Sequence, residues 1–294
     1  MKTLDNHQII INPRKIPEDK ILSFLIKTYD IVTPKISLML GGIENVGWLV
    51  SFSDNLPPRS VLKIFNQNTN LKYLRKEIKL YDELRMKGFF TPEIINSNNN
   101  HEINFIEYKN ILYPTILMKY QDMITTTPAT ITNNQISKIA NLVVRLHFYT
   151  KEMKTLFKGT TENKSKIVKT GIHGDLTLYH MPFMTNNEIY IYDFDRRKYG
   201  SIYEDLASLI ITFYASGAVD NIKAKSLESY FIKTYFSSPY ASCKYDQAKL
   251  DLYKRARVRE VITYLKNLNI KSNGDSDSLK QKKDWIDRLL NLKI

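Results

Sequence analysis

The 294-residue chain has little of several features that define other protein classes. Its one cysteine, Cys243, cannot form a disulfide framework within the chain, which fits a reducing compartment. No apolar run approaches the roughly 20 residues of a membrane-spanning helix. The N-terminal MKTLDNHQII has acidic and polar residues where a signal peptide needs an apolar core. These absences predict a soluble cytoplasmic protein, and the length predicts one or two domains.

Charge is not balanced either, because 43 Lys and Arg against 30 Asp and Glu give a net charge of +13. Three kinds of partner suit this charge: nucleic acid, an anionic membrane surface, and an acidic or phosphorylated substrate. There is no zinc-finger spacing and no aromatic RNA-binding signature, so no nucleic-acid partner is predicted. Peripheral contact with the inner face of the cytoplasmic membrane stays open. The densest basic stretch, KRARVRE at 254–260, has a helical pattern and is predicted to be a solvated helix face.

Hydrophobic periodicity divides the chain into a mixed part and a mostly helical part. Early patterns predict helices over 17–30 and in LKYLRKEIKLYDELRMKG, and strands in KISLMLGG, GWLVSFSD, SVLKIF, INFIEY and YPTILMKY. Later helical patterns lie in NNQISKIANLVVRLHFYT, EDLASLIITFYASG, SLESYFIKTYF, DQAKLDLYKRARVREVITYLKNL and LKQKKDWIDRLLNL, and EIYIYDF is predicted to be a short strand. The sequence predicts an α+β protein with a small sheet-bearing lobe over 1–118, a larger helical lobe over 119–294, and a hinge near 119–123.

Three weak signals in the first lobe could bind phosphate. GGIENVGW places Gly41 and Gly42 between two strands, where backbone N–H groups can approach a phosphate, although a hairpin turn explains the glycines equally well. No Lys follows as in a P-loop. Lys63 in SVLKIF is either a cation aimed at phosphates or the outward face of an edge strand. Glu77 on the next helix either holds Lys63 or is solvated. Their order along the chain is more specific than any one of them.

Acids and histidines crowd against apolar sequence in GIHGDLTLYHM and IYIYDFDRRKYG. Burying such groups is costly unless a metal, a cation or a reaction uses them. Asp175 follows His173 and Gly174, and Asp193 lies eighteen residues later at the predicted end of a strand. Two carboxylates so placed form a magnesium and general-base pair. The alternative is a pair of turn-forming aspartates.

In chain order, GGIENVGWLV, VLK, KEIKLYDEL, RLH, HGDLTLYHM, YDFD and EDLA resemble the protein-kinase-like phosphotransferases over roughly residues 35–235. The most similar branch is that of aminoglycoside phosphotransferases and choline kinases, for which HGD followed by DFD is typical. The resemblance implies a two-lobed kinase fold: an antiparallel sheet with a helix in the first lobe, a helical second lobe, and ATP in the cleft. It also implies magnesium and an acceptor that carries a hydroxyl group.

The resemblance also implies roles for individual residues. Gly41, Gly42 and Asn45 would cover the phosphates. Lys63 would hold the α and β phosphates, with Glu77 fixing it. Met118 to Gln121, which include Tyr120, would form the hinge beside adenine. Asp175 would orient the acceptor hydroxyl, and Asp193 would hold magnesium.

One position departs from the family pattern. His180 stands five residues after Asp175, where the family has a metal-ligating Asn. Neutral imidazole is a poor magnesium ligand, so either a water intervenes, one metal suffices, or His180 contacts phosphate. The lipopolysaccharide core sugar kinases resemble this chain in having Asp, four residues, then His. His180 therefore favours that branch, whereas HGDLT is more similar to the small-molecule kinases.

Residues flanking these motifs complete the predicted site. Arg196 and Arg197 would bind acidic groups of an anionic acceptor, or would form a surface salt-bridge pair. Asp195 is also predicted to contact the acceptor. His173 is predicted to organise its loop rather than carry a proton. Asp205 is predicted to be buried and bonded to backbone around His173 and Gly174, as the resemblance implies, while Glu204 is exposed.

These observations predict an ATP- and magnesium-dependent kinase that transfers the γ-phosphate to a hydroxyl of a small molecule or sugar, in lipopolysaccharide or surface polysaccharide synthesis. An aminoglycoside or choline kinase is the alternative. A protein kinase is disfavoured, since no APE-like motif and no long activation segment lie between Asp193 and Asp205. A pseudokinase is favoured by His180 and opposed by the joint presence of Lys63, Glu77, Asp175 and Asp193.

Overall fold

The computed structural model describes residues 12–39, 45–52, 59–157, 169–215, 217, 219–271 and 286–290. Contacts within the chain divide it into two compact units. Unit 1 is Met1–Met86 with Thr91–Asp122, and unit 2 is Lys87–Phe90 with Met123–Ile294. The boundary predicted from sequence, between 118 and 119, lies close to the point between Asp122 and Met123 where the chain leaves unit 1.

Unit 1 contains an antiparallel sheet with one helix on each face. Its strands are β1 Lys35–Leu38, β2 Val46–Ser51, β3 Ser60–Ile64, β4 Ile94–Ile95, β5 Asn104–Tyr108 and β6 Ile111–Lys119. The strand order is β1-β2-β3-β6-β4, and β5 pairs with the first half of β6. The helices are α1 Glu18–Tyr29 and α2 Leu71–Met86. Because β3 lies between β2 and β6, it is a central strand of this sheet.

Successive side chains of a strand point to opposite faces of the sheet, so the buried ones show which helix packs on which face. Leu62 and Ile64 of β3 lie in one core cluster with Ile21 and Leu25 of α1. On the other face, Ile116 of β6 lies in a cluster with Leu74 and Ile78 of α2. The apolar positions that suggested strands and helices in the sequence are therefore the ones that form these two cores.

Unit 2 is mainly helical. Its helices are α3 Asn133–Thr150, α4 Ile202–Ala215, α5 Asn221–Phe236 and α6 Gln247–Lys271, and residues 286–290 are also helical. Its short strands form two antiparallel pairs: β7 Met123–Ile124 with β9 Phe183–Met184, and β8 Lys169–Ile172 with β10 Lys198–Ser201. α3 packs on α5, and α4 packs on α6. α4 is buried around most of its circumference, as its apolar sequence EDLASLIITFYA requires.

The predicted α+β class is confirmed, and so are the predicted helices and the longer strands within the described ranges. Among those ranges, no helix is both long enough and apolar enough to cross a bilayer. EIYIYDF was wrongly predicted as a strand. Ile189 and Tyr190 form only isolated bridges, to Phe183 and Phe90, and no ladder continues from either. Tyr190 and Ile191 are buried by packing, which gave this stretch its strand-like pattern.

Candidate active site

Lys63 lies on the central strand of unit 1 and not on an edge strand. It follows Leu62, so its side chain points to the opposite face of the sheet, and its cross-strand partner is Ile116. Ile116 packs against α2, so Lys63 lies on the face that α2 covers. Its Nζ is 5.0 Å from the centre of the Phe65 ring. A partly buried cation is thus held on the α2 side of the sheet.

Glu77 lies on α2 and is only 2 % exposed, so it is not on a solvated helix face. Its Oε1 accepts a hydrogen bond from the hydroxyl of Tyr81, one turn further along, at 2.7 Å. A buried carboxylate requires donors or a cation to offset its desolvation. Glu77 is thus buried on α2, the helix that packs on the face of the sheet where Lys63 lies.

Of the other residues predicted to bind nucleotide in unit 1, the structure describes some and not others. Gly41 and Gly42 lie outside the described residues. The side-chain oxygen of Asn45 accepts from the backbone N–H of Asn66 at 3.4 Å, which links the start of β2 to the segment after β3. Met118 packs on the core beneath α2. Tyr120 is half-buried, and burial, followed by the charge of Asp122, raises its pKa.

Asp205 organises the loop that carries the HGD motif in unit 2. Its carboxylate is fully buried and accepts from the backbone N–H of His173 at 2.7 Å and of Gly174 at 2.8 Å. Burial alone would raise its pKa, but the hydrogen bond and charge of His147 and the Gly174 N–H hold that pKa below its usual value. The predicted contact of Asp205 with the loop is present. Glu204 was wrongly predicted to be exposed: its side chain is 26 % exposed and pairs with Lys198.

His147 extends this arrangement and was not singled out by residue-level reasoning from the sequence. Its Nε2 is 3.1 Å from Asp205 Oδ2, and its Nδ1 is 2.7 Å from the hydroxyl of Tyr235. Since a carboxylate only accepts, Nε2–H donates to Asp205, and Nδ1 shares a hydrogen bond with the Tyr235 hydroxyl. A buried chain of hydrogen bonds therefore links α5 and α3 to the HGD loop through Asp205.

His173 is buried inside the loop, which fits an organising role rather than proton transfer. Its Nε2 donates to the carbonyl oxygen of Tyr192 at 2.9 Å. Its ring stacks on that of His180, with centres 5.4 Å apart, and contacts Phe194. Burial, followed by the charge of His180, lowers the pKa of His173. The imidazole therefore joins the HGD loop to the segment that carries Asp193.

His180 connects the two candidate catalytic aspartates. Its Nδ1 is 2.7 Å from the carbonyl oxygen of Asp175, and because a carbonyl only accepts, Nδ1 carries the proton. In the neutral ring, Nε2 then has a lone pair, and it lies 3.6 Å from Asp193 Oδ2, too far for a hydrogen bond. When the ring is neutral, these two electron-rich atoms suit a cation between them, and when it is protonated they form an ion pair.

These two atoms fit a shared metal ion. Two ligand atoms at about 2.1 Å from one ion can be at most about 4.2 Å apart, which allows the observed 3.6 Å. A metal-ligating histidine commonly donates its other ring N–H to a backbone carbonyl, as His180 does to Asp175. In the described parts of the chain, no group of three or more His, Cys, Asp or Glu side chains could hold a metal. A metal here would thus take few protein ligands, which suits one held largely by substrate phosphates.

Arg257 of α6 reaches the candidate catalytic residue. It forms an ion pair with Asp175 Oδ1 and a second with Glu260 Oε2 at 2.9 Å. Burial alone would lower the pKa of Arg257, but Asp175 and Glu260 raise it, so its charge is secure. The prediction that KRARVRE is a solvated helix face is therefore incomplete, because Arg257 within it is largely enclosed and pairs with Asp175. A residue 82 positions away in sequence could not be linked to Asp175 by local patterns.

The two arginines after Asp193 have different environments. Arg196 is exposed, with its guanidinium 5.6 Å from the centre of the Tyr264 ring and 3.5 Å from Glu260 Oε1. Arg197 was wrongly predicted to bind acceptor or to lie on the surface. It is fully buried and donates to the carbonyl oxygens of Leu156 and Phe194 at 3.1 and 3.0 Å. Asp195, directly before Arg196, is half-buried.

Comparisons with known proteins bear on this arrangement. The sequence matches no protein-family model and no curated protein sequence. Several solved structures do match. One is an amicoumacin kinase in complex with AMP-PNP, Ca2+ and Ami, which has a TM-score of 0.70 and 15 % sequence identity. That match covers 92 % of this chain and 93 % of the other. A microcompartment-associated aminopropanol kinase has TM-score 0.69, 10 % identity and coverage of 92 % and 95 %. A spectinomycin phosphotransferase in complex with ADP and spectinomycin has TM-score 0.64, 12 % identity and coverage of 92 % and 93 %.

The chain has the fold of small-molecule kinases. Aminoglycoside phosphotransferases and a choline kinase are also among the similar structures, as the sequence resemblance implies. In this kinase fold, unit 1 carries Lys63 and Glu77, while unit 2 carries Asp175, His180 and Asp193. The three matches described above cover 93 %, 95 % and 93 % of those solved chains.

Proposed function

We propose that the protein is an ATP-dependent kinase that transfers the γ-phosphate to a hydroxyl group of a small molecule or sugar. The observation that carries this proposal is the loop that Asp205 fixes, in which His180 touches the backbone of Asp175 and faces the carboxylate of Asp193. Two aspartates, one bonded through its backbone carbonyl to the His180 imidazole and the other facing that ring, suit phosphoryl transfer. In that reaction most of the rate gain comes from positioning and from charge stabilisation.

Asp175 would accept and orient the hydroxyl of the acceptor. Its carboxylate need not be a strong base, because the acceptor proton moves late and charge neutralisation dominates the barrier. The Asp205 contacts to the N–H groups of His173 and Gly174 hold the backbone immediately before it. The loop is thus organised before any substrate binds.

Asp193 and His180 would hold magnesium. When bound, the ion would neutralise charge on the phosphates of the nucleotide. The tautomer that the Asp175 carbonyl imposes on His180 keeps Nε2 available as a ligand. A nitrogen ligand is unusual for magnesium, so manganese is a natural comparison in any assay.

Residues of unit 1 would bind the nucleotide. Lys63 would hold the α and β phosphates, and Glu77, buried on the neighbouring helix, would fix its position. Asn45, with Gly41 and Gly42, would cover the phosphates, and Met118 and Tyr120 would lie beside adenine. The buried state of Glu77 and the central strand position of Lys63 support this assignment.

A bacterial glycolipid or surface polysaccharide is the acceptor we propose, because His180 and its spacing from Asp175 resemble the lipopolysaccharide core sugar kinases. The net charge of +13 supports an anionic acceptor and a cytoplasmic enzyme that contacts the inner membrane surface peripherally.

An ATP-consumption screen tests the proposed function. Wild-type protein with Mg2+ or Mn2+ would be offered sugars, aminoglycosides, choline and purified lipopolysaccharide core. Turnover that depends on one acceptor class and is absent in Asp193→Ala is the expected result. Nucleotide binding without turnover on any acceptor would instead favour a pseudokinase.

A further inference from the structure

One basic side chain of α6 reaches the candidate catalytic loop. α6 carries seven Lys and Arg but only two acids, and Arg257 is the member that bonds Asp175 Oδ1. The Arg257 side chain is 13 % exposed, so it is largely enclosed yet still reaches solvent. Because it bonds Asp175 itself, its guanidinium lies where groups next to an acceptor hydroxyl would lie.

A second guanidinium reaches the same place through Glu260. Glu260 Oε2 is 2.9 Å from Arg257 Nη1, and Glu260 Oε1 is 3.5 Å from Arg196 Nη1. The Glu260 side chain is 56 % exposed and lies on the same helix as Arg257. The pair between Glu260 and Arg196 is exposed at both ends and therefore weak, so the Glu260 carboxylate can move aside. It occupies the position that another anion would take.

We propose that Arg257 and Arg196 form the binding site for an anionic group of the acceptor, a phosphate or a carboxylate, which displaces Glu260. This inference rests on the proposed kinase function and specifies its substrate class. Guanidinium groups bind both kinds of anion through paired N–H donors, and they stay charged at any physiological pH. When the hydroxyl of the acceptor is at Asp175, the anionic group of the acceptor lies beside Arg257. Arg257 then contacts both Asp175 and that anionic group.

The same geometry selects against cationic acceptors. The aminopropanol and choline kinases have similar folds, and their names specify alcohols that carry an amine or ammonium group. In this chain, an ammonium group close to the reacting hydroxyl would lie beside the Arg257 guanidinium, and like charges at that distance repel. Beyond Asp205 the sequence has 16 Lys and Arg and nine Asp and Glu, so this part of the chain is basic as a whole.

Binding of inorganic phosphate to the full-length protein, measured by calorimetry without nucleotide, tests the site directly. Arg257→Gln should weaken binding by about tenfold or more, which is the typical effect of losing a charge-assisted hydrogen bond. Glu260→Gln should tighten it several-fold, because it removes the competing carboxylate. Arg259→Gln removes the same charge from an exposed position of α6 and should leave binding unchanged. Equal affinities in wild type and Arg257→Gln would overturn the proposal.

A matched acceptor series separates anion binding from mere positioning of Asp175. The probes are glucose, glucose 6-phosphate, glucuronate and glucosamine, which differ in charge on one scaffold. Wild type should favour one or both anionic sugars over glucose and disfavour glucosamine, and Arg257→Gln should abolish that preference. The phosphate and carboxylate probes show which anion is preferred. An equal fall in kcat/KM for all four would show that Arg257 only positions Asp175, and so would contradict the proposal. If none is phosphorylated, the kinase proposal loses support, and phosphate binding alone decides the role of Arg257.

Discussion

At the scale of single residues, the position of one proton determines the candidate metal site. The Asp175 carbonyl fixes the proton of His180 on Nδ1, which directs the Nε2 lone pair towards Asp193. An imidazole nitrogen favours transition metals over magnesium, whereas an amide oxygen suits magnesium. His180→Asn should therefore raise the ratio of activity in Mg2+ to activity in Mn2+.

The measurement is turnover as a function of each metal concentration. His101→Asn, a change at an exposed histidine in unit 1, is the control and should not alter the ratio. If the ratio is the same in His180→Asn and wild type, His180 does not bind the metal. A fall in turnover with no change in metal requirement would instead indicate contact with phosphate or acceptor.

Asp205 gives a prediction about pH. Its pKa in the folded protein lies below the unfolded value, so the folded state binds fewer protons and the carboxylate stabilises it above that value. This contribution is lost as pH falls from about 4 through the folded pKa. Asp205→Asn leaves at least one loop N–H group unpaired and should cost about 1–3 kcal/mol at pH 7.

The stability difference between wild type and Asp205→Asn should therefore shrink below about pH 4. Urea denaturation of both proteins between pH 3 and pH 7 measures this difference. A difference that stays constant or grows as pH falls would show that the charge of Asp205 does not stabilise the loop.

At the scale of elements, the HGD loop depends on its glycine. Gly174 has φ +84°, and a Cβ added there would lie 2.1 Å from the backbone oxygen of Arg196. Alanine must therefore both adopt a left-handed conformation and push two backbone segments apart. The conformation alone costs about 1–2 kcal/mol, and the contact adds to it.

Gly88→Ala is a matched control for this prediction. Gly88 has φ +78°, but a Cβ there meets nothing closer than 3.7 Å. Thermal denaturation should show a modest loss of stability for Gly88→Ala and a clearly larger one for Gly174→Ala, with loss of turnover only in the latter. Equal losses would mean that the close approach of Arg196 does not constrain the loop.

Elements with many periodic residues could be predicted from the sequence, and elements defined by long-range contacts could not. α3 begins where Thr132 and Gln135 form a capping box, a local signal. By contrast, β8 and β10 are four-residue strands that exist because they pair with each other across some 30 residues. EIYIYDF has a strand pattern but no continuous partner. Arg197 resembled a surface residue because the Leu156 carbonyl oxygen, to which it donates, comes from a segment 41 positions away.

The residues of the candidate site also divide into those that local motifs predict and those that only contacts between distant segments reveal. The order of Lys63, Glu77, Asp175, Asp193 and Asp205 along the chain allowed each to be proposed, because family motifs are local. His147 and Arg257 act through contacts 58 and 82 positions away, which no local motif records. The feature in the sequence that could have pointed to Arg257 is the basic density of α6.

At the scale of the whole molecule, the residues proposed for nucleotide binding and for transfer lie in different units. Lys63 and Glu77 belong to unit 1, and Asp175 and Asp193 to unit 2. The proposed activity therefore requires the intact chain. The charge of +13 adds a long-range attraction for anionic nucleotides and acceptors, which weakens as salt concentration rises.

The central claim is that Asp193 holds the metal and Asp175 orients the acceptor. The most direct measurement compares ATP binding and acceptor-dependent ATP turnover in Asp175→Ala and Asp193→Ala, with Glu188→Ala, a change at an exposed acid of unit 2, as the control. Asp175→Ala should bind ATP normally and lose transfer, whereas Asp193→Ala should lose metal-dependent turnover altogether. Near-normal turnover of Asp175→Ala on the acceptor would contradict the account.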